Sequence, residues 1–144
     1  MSDNMTRGTE LIKAIFDKII KTPNFGQCLK KLEILSAENG NCKAQFVVSE
    51  EHLNLGGTLH GGCTSTVIDC ISTYAVMTQG TGAPGVSVDL HVTFMKPALP
   101  GELVLVDAKT IRAGKRLVFL AVDLTKNEGK DIIAHGRHTK FIGT

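Results

Sequence analysis

Two glycines and one carboxylate form the pattern that most clearly indicates a chemical function in this 144-residue chain. Gly61 and Gly62 follow His60 where a loop turns into a predicted helix, and Asp69 lies in the apolar run of that helix. The first N–H groups of a helix lack intrahelical partners and lie at its positive end, so they can bind a carbonyl oxygen that gains negative charge. An isolated carboxylate is costly to bury, which favours a functional role for Asp69. The pattern predicts a site that holds an ester or thioester oxygen and attacks the adjacent carbon.

Asp69 could act on such a carbonyl in two ways. As a general base it would take a proton from water, and as a nucleophile it would form an acyl anhydride. Both routes fit the sequence, and an aspartate that faces outward or caps a neighbouring loop is the structural alternative. The glycine pair could likewise serve only a tight turn or close packing, since such pairs are common at helix starts.

The spacing between Gly61 and Asp69 predicts a homodimer. Eight residues of α-helix span about 12 Å along the helix axis. A general base must act within about 3 Å of the attacking water. One helix therefore cannot supply both groups to the same carbonyl, whereas an antiparallel copy can. We expect shared sites with C2 symmetry, in which Gly61 of one chain faces Asp69 of the other.

Four other polar residues lie close to these positions in the sequence. Asn54, in the loop before the helix, could orient His60 or the substrate, and His60 could equally be a hydrogen-bonding residue of the helix start. Ser87 and Asp89 alternate with apolar residues over 86–90, which predicts that they share one strand face. Ser87 could hold the attacking water there, and a solvent-facing strand side is the alternative for both residues.

Basic residues concentrate near the predicted strand ends. Solvated turns usually have this composition, and a phosphorylated substrate would also bind such a cluster. The residues are Lys96, Arg112, Lys115, Arg116, Arg137 and Lys140. His135 and His138 lie three apart on a predicted strand and should point to opposite faces, so we predict no shared metal site.

Composition indicates an ordinary globular chain, with 42% hydrophobic and 21% charged residues. The net charge of +2 is too small to indicate nucleic acid or an anionic membrane as a partner. The sequence lacks an apolar run long enough for a transmembrane helix, and residues 1–10 lack the apolar region of a signal peptide. Because Cys28, Cys42, Cys63 and Cys70 form no C-x-x-C pair, we expect reduced thiols in an intracellular, non-secreted protein.

Hydrophobic periodicity predicts a single α+β domain over residues 1–144, in the order α-β-β-α-β-β-β-β. An amphipathic N-terminal helix is predicted within residues 1–22, packed on the core. A second helix, over 61–79, is apolar around much of its circumference and should be buried. Six strands with short connections should form an antiparallel sheet that wraps this helix. Their predicted ranges are 28–36, 41–49, 86–96, 102–112, 115–126 and 131–142.

Segment 54–62, Asn-Leu-Gly-Gly-Thr-Leu-His-Gly-Gly, followed by Asp69, resembles the hotdog-fold thioesterases of the phenylacetate-degradation type. Segments 82–89 and 136–140 extend this resemblance over nearly the whole chain. It implies a hotdog fold, a six-stranded antiparallel sheet around a central helix, with an extra N-terminal helix. It also implies hydrolysis of medium- to long-chain fatty acyl-coenzyme A, with no cofactor, since coenzyme A is part of substrate and product.

The resemblance also implies roles for individual residues. Gly61 would bind the thioester carbonyl, Asp69 of the opposite subunit and Ser87 would manage the water, and Asn54 and His60 would support the site. The implied substrate and coenzyme A contacts are Glu50, Ser87, Asp89, Phe94, Met95, Lys96, Pro97, Ala98, Leu99, Arg112, Ala113, Gly114, Lys115, Arg116 and Leu117. It further implies a homotetramer built as a dimer of dimers, located in the cytosol and around mitochondria, and a lipid-transfer protein as a partner of some members.

Two other functions stay open. A hotdog hydratase acting on an enoyl thioester would normally use an Asp/His pair at the substrate carbons, which the position of His60 beside the oxyanion donors disfavours. A non-catalytic acyl-coenzyme A carrier or scaffold would keep the glycines and basic residues but would not need Asp69 or Ser87. A thioesterase could work without an obvious general acid, because a thiol with a pKa of about 8.5 leaves readily.

Overall fold

The computed structural model describes residues 5–143, so the first four residues of the predicted N-terminal helical segment, and residue 144, lie outside the described part. Two α-helices and six strands follow one another in the predicted order. The helices are α1 (Arg7–Lys21) and α2 (Gly61–Met77), and the strands are β1 (Glu33–Glu38), β2 (Asn41–Val47), β3 (Val86–Phe94), β4 (Leu103–Ala113), β5 (Leu117–Lys126) and β6 (Asp131–Phe141).

The six strands form one antiparallel sheet in the order β1-β2-β4-β5-β6-β3. Helix α2 lies on the inner face of this sheet, where Val67, Ile68 and Ile71 are fully buried. Burial of side chains of this size stabilises the fold by roughly 1.5–3 kcal/mol each. Gly136 of β6 allows the close approach, because a Cβ there would lie 2.7 Å from Cγ2 of Ile68. The structure confirms the predicted α+β hotdog architecture, a sheet wrapped around a central helix.

Helix α1 packs on the core beside β1, as its amphipathic pattern predicts. The buried Thr9 hydroxyl donates to the Ala37 carbonyl at 3.3 Å and accepts the Ala37 N–H at 3.0 Å. Phe16 meets Tyr74 of α2 edge to face, with ring centroids 6.3 Å apart. Among residues 5–143, the helices lack the combination of length and apolar character that crossing a membrane requires.

The first predicted strand, 28–36, is wrong at its start. Residues Phe25–Leu29 form a three-ten helix, and β1 begins only at Glu33. The Asn24 side chain accepts the Gly26 N–H at 2.7 Å and donates to two preceding backbone carbonyls. Such local hydrogen bonds compete with strand formation, which explains the shorter strand.

Strand β3 lies at one edge of the sheet, and within the described residues its only strand partner is β6. Val86, Val88 and Phe94 are each more than half exposed, and Leu90 is 38% exposed. An edge strand presents unpaired N–H and C=O groups, which are a template for another strand. An edge that is also apolar is therefore the part of this fold best suited to pairing with a second chain.

Candidate active site

Helix α2 begins with a backbone N–H group, that of Gly61, that is free for a ligand. The Nδ1 atom of His60 accepts the Gly62 N–H at 2.7 Å, and the His60 carbonyl accepts the Thr64 N–H at 3.0 Å. Within residues 5–143, the Gly61 N–H has no hydrogen-bond acceptor. His60 is therefore a hydrogen-bonding residue of the helix start. The Gly61 N–H is left at the positive end of the helix, where it can bind a carbonyl oxygen.

A cavity of about 400 Å³ opens beside Gly61. Residues 94–98 line it, so five of the implied coenzyme A contacts lie next to the helix start. The Nζ atom of Lys96 lies 2.7 Å from Oδ1 of Asp131, and this contact holds the pKa of the Asp131 carboxyl below its usual range. The Lys96 side chain is 53% exposed, so an anion can still approach its ammonium group.

Asp69 and Ser87 meet through a third residue, His138. The Oγ atom of Ser87 lies 2.7 Å from Nε2 of His138, and Oδ1 of Asp69 lies 3.8 Å from the same nitrogen. The Asp69 side chain is 48% exposed, so its carboxylate stays accessible to water and substrate. The structure thus brings together the two residues predicted to manage the attacking water.

His138 joins this cluster although the sequence alone assigns it no role beyond the resemblance of segment 136–140. It is 1% exposed, and its Nδ1 atom lies 2.7 Å from Oγ of Ser72 on α2. Burial lowers the pKa of His138, whereas the nearby Asp69 carboxylate acts in the opposite direction. The sequence offered only the predicted strand 131–142, because the inner-face residues 134, 136, 138 and 140 are Ala, Gly, His and Lys and show no apolar alternation.

Lys140 was grouped with solvated strand-end residues, and the structure shows instead that it is 4% exposed. Its Nζ atom donates to Oγ1 of Thr73 at 2.6 Å, and the Thr73 hydroxyl donates to the Asp69 carbonyl at 2.8 Å. Burial lowers the pKa of Lys140, and Asp69 opposes this shift. Lys140 therefore adds a buried amino group to the Asp69 end of the molecule.

The prediction that Ser87 and Asp89 share one strand face is wrong. A β-bulge interrupts the pairing of β3 with β6 between these two residues. Ser87 pairs with Lys140 on the inner face, whereas Asp89 pairs with Thr139, whose side chain alternates to the outer face. The bulge therefore directs Ser87 toward His138 and turns Asp89 away.

Asn54 does not orient His60 within one chain. Its Oδ1 accepts the Thr58 N–H at 3.1 Å, and its Nδ2 donates to the Thr58 hydroxyl at 2.9 Å, so it closes the loop before α2. Glu50 and Leu99, both implied coenzyme A contacts, are exposed and lie outside the lining of the Gly61 cavity. In the described part of the chain, no three His, Cys, Asp or Glu side chains converge as a metal site.

The predicted catalytic residues fall into two groups at opposite ends of β3. Gly61 lies against Phe94, since a Cβ on Gly61 would be 3.4 Å from the Phe94 ring, whereas Asp69 lies with Ser87 near His138. Ser87 and Phe94 are seven residues apart, a distance of about 23 Å along an extended strand. One chain therefore contains two separate half-sites.

The implied coenzyme A contacts divide in the same way. The hairpin 112–117 joins β4 to β5, and Leu117 pairs with Phe141, which in turn pairs with Val86 of β3. This hairpin therefore lies at the Ser87 end of β3, whereas residues 94–98 lie at the Gly61 end. Its side chains are exposed, which leaves its basic residues free to contact phosphate groups.

Known proteins share both the sequence and the fold of this chain. The family model of the thioesterase superfamily matches residues 56–133. The chain is 43% identical over 139 residues to acyl-coenzyme A thioesterase 13 of Homo sapiens, an alignment that covers 96% of this chain and 99% of that protein. The crystal structure of zebrafish thioesterase superfamily member 2 matches at a TM-score of 0.91 and 45% identity, covering 94% of this chain and 98% of that one. The Mus musculus structure of the same name gives 0.87 and 39%, covering 96% of this chain and 100% of that one.

Proposed function

The chain belongs to the thioesterase superfamily, and from this premise we propose that it hydrolyses medium- to long-chain fatty acyl-coenzyme A. The observation that carries the proposal is the cluster of Asp69, Ser87 and His138, in which an accessible carboxylate lies beside a fixed serine hydroxyl. An acyl-coenzyme A carrier would need neither group. The name of the human relative, an acyl-coenzyme A thioesterase, supports the choice of substrate class.

In the proposed reaction, Asp69 takes a proton from a water molecule that also binds Ser87. The water oxygen bonds to the thioester carbon, and the carbonyl oxygen gains a negative charge that the Gly61 N–H and the dipole of α2 stabilise. The C–S bond then breaks, and the coenzyme A thiolate takes up the proton from Asp69. The products are the fatty acid and coenzyme A. No separate general acid is needed, because a thiol with a pKa of about 8.5 is a good leaving group.

We propose that each complete site is shared between two copies that pair through β3. Antiparallel pairing centred on Leu90 would set Ser87 of one copy opposite Thr93 of the other, close to the second copy's Gly61 half-site. The exposed apolar edge formed by residues 86–94 supports this pairing. The 12 Å estimate for the helix and the roughly 23 Å estimate for β3 both favour a shared site over a site within one chain.

Under this arrangement, coenzyme A would contact residues 94–99 of one copy and residues 112–117 of the other. Exposed Arg112, Lys115 and Arg116 supply the charge that its phosphates require. We further propose a dimer of dimers in the cytosol, with a lipid-transfer protein as a partner. The reduced thiols of the described chain, whose cysteines are all unpaired, support an intracellular location.

The first test measures release of free thiol from acyl-coenzyme A of increasing chain length. We expect Asp69→Asn to lower kcat by roughly 10²–10⁴-fold, the usual contribution of a general base. His135→Gln is the matched control, since His135 lies on the opposite face of the sheet from this cluster. Tight binding without thiol release by the wild type would favour the carrier, and full activity of Asp69→Asn would contradict the mechanism.

The second test asks whether the sites are shared, by co-expressing an Asp69→Asn chain with a Gly61→Pro chain. Each variant alone should be inactive. In a random mixture half of the dimers are mixed, and each mixed dimer has one of its two sites intact, so about a quarter of the wild-type activity should return. Absence of any recovery, with mixed dimers demonstrated by mass, would place the complete site within one chain.

A further inference from the structure

A chain of hydrogen bonds runs from the buried Ser72 of α2 through His138 to Ser87. The Ser72 hydroxyl lies 2.7 Å from the Ile68 carbonyl and 3.1 Å from the Asp69 carbonyl. A carbonyl oxygen only accepts hydrogen bonds, so the single Ser72 proton is directed into the helix. Toward His138, Ser72 can therefore only accept, and the proton between them belongs to Nδ1 of His138.

This assignment also determines the hydrogen-bonding role of Nε2, the other nitrogen of the His138 ring. In a neutral histidine that carries its proton on Nδ1, the Nε2 atom is a bare acceptor. Ser87, 2.7 Å away, must then donate its hydroxyl proton to Nε2. The Ser87 oxygen is left with only lone pairs to offer to any other molecule.

The surroundings of His138 favour this neutral form. The residues paired with it on the two neighbouring strands are Leu90 of β3 and Leu120 of β5, both apolar. Burial lowers the pKa of His138, Asp69 of α2 and Asp89 of β3 raise it, and Lys140 of β6 lowers it. Burial is the largest of these influences, so the imidazole is neutral near pH 7.

We propose that Ser72 and His138 are positioning residues that hold the Ser87 hydroxyl as a hydrogen-bond acceptor for the attacking water. This inference rests on the proposed thioesterase function. A water molecule with one hydrogen on Asp69 and the other on Ser87 keeps an oxygen lone pair directed at the thioester carbon. If Ser87 donated to the water instead, it would occupy one of the two lone pairs of the water oxygen and make that oxygen a weaker nucleophile.

The arrangement of protons can be measured without substrate. In a long-range ¹H–¹⁵N spectrum of histidine-labelled protein at pH 7, His138 should show the neutral form with its proton on Nδ1, the signal being identified by its loss in His138→Gln. In Ser72→Ala the acceptor for Nδ1–H is gone, so the population should shift toward the form protonated on Nε2. A wild-type His138 that is protonated on Nε2, or on both nitrogens, overturns the inference.

The catalytic role is tested by the split between kcat and KM for Ser72→Ala and His138→Gln. We expect kcat to fall on the order of tenfold to a hundredfold with KM unchanged, because misplacement of the water affects the chemical step alone. Ser72→Ala is the variant that keeps the test decisive if His138→Gln fails to fold, since alanine is well tolerated in helices. His135→Gln is the control on the same strand and should match the wild type.

Coupling to Ser87 separates positioning from a structural role. If Ser72 and His138 act through Ser87, adding either substitution to Ser87→Ala should lower kcat by less than about twofold further. Losses that multiply fully would overturn the inference. An inactive wild type would overturn the proposed function instead, while an active wild type with the wrong His138 tautomer would overturn this inference alone.

Discussion

The two faces of β6 hold histidines with the same ring and opposite surroundings. His138 faces α2, is 1% exposed, and binds the hydroxyls of Ser72 and Ser87. His135 faces outward with a third of its side chain exposed, and its Nδ1 lies 2.7 Å from Oδ1 of Asp123. Each nitrogen of His138 lies 2.7 Å from one serine hydroxyl, and the Ser72 contact is buried. The Asp123 partner of His135 is half exposed and open to water. Burial and fixed partners, rather than residue type, therefore distinguish the inner histidine from the outer one.

The comparison predicts that the inner histidine is essential to the fold and the outer one is not. His138→Ala leaves a cavity and removes the partner of two serine hydroxyls, so it should lower the free energy of unfolding by about 3 kcal/mol. His135→Ala should change it by less than about 0.5 kcal/mol, as is usual for exposed positions. Urea denaturation at one protein concentration measures both free energies of unfolding. Similar losses for the two variants would contradict the predicted difference between the two faces.

A glycine on the inner face of β6 provides a second comparison between the two faces of this strand. Gly136 pairs with Val92 and Val122, and a Cβ on it would lie 2.7 Å from Ile68 of α2. Gly136→Ala should therefore push α2 away from β6 and lower the free energy of unfolding by about 2 kcal/mol. Arg137→Ala, on the exposed outer face beside it, is the matched control and should have little effect. Equal stability of Gly136→Ala and wild type would show that α2 is loosely packed here.

Local patterns explain why part of this arrangement could be predicted from the sequence. Gly61 and Asp69 belong to one helix, so their separation follows from helical geometry alone. The composition of 131–142 predicts a strand, but its inner-face residues 134, 136, 138 and 140 show no apolar alternation, so the burial of His138 is seen only in the fold. Because they depend on local patterns, the helix start, the sheet and the separation of the two half-sites could be predicted from the sequence.

The partners of His138 could not be predicted in the same way, because they come from distant segments. Ser72 lies 66 residues away along the chain and Ser87 lies 51 residues away, so the network exists only after α2 and β3 pack against β6. The bulge between Ser87 and Asp89 is equally non-local. The alternation in this segment fits a regular strand, and only the pairing with β6 reveals the extra residue.

The pH dependence of stability gives the smallest expected effect and tests the protonation state of the inner histidine, His138. Burial lowers the folded-state pKa of His138 below the value near 6.5 expected in the unfolded chain. Between these two values the unfolded chain binds more protons, so the free energy of unfolding must fall as the pH falls through 6.5. One such group contributes at most about 1.4 kcal/mol per pH unit. His52, also buried and with a lowered pKa, should add a similar decrease.

Urea denaturation between pH 7 and pH 5 tests this prediction. His138→Gln should flatten the curve over that range, because glutamine does not titrate, and the contribution of His52 should persist. If His138→Gln kept the full acid-dependent loss, the inner imidazole would have to be charged in the folded protein. The contrast between the two faces of β6 would then rest on burial alone, without the fixed proton that positions Ser87.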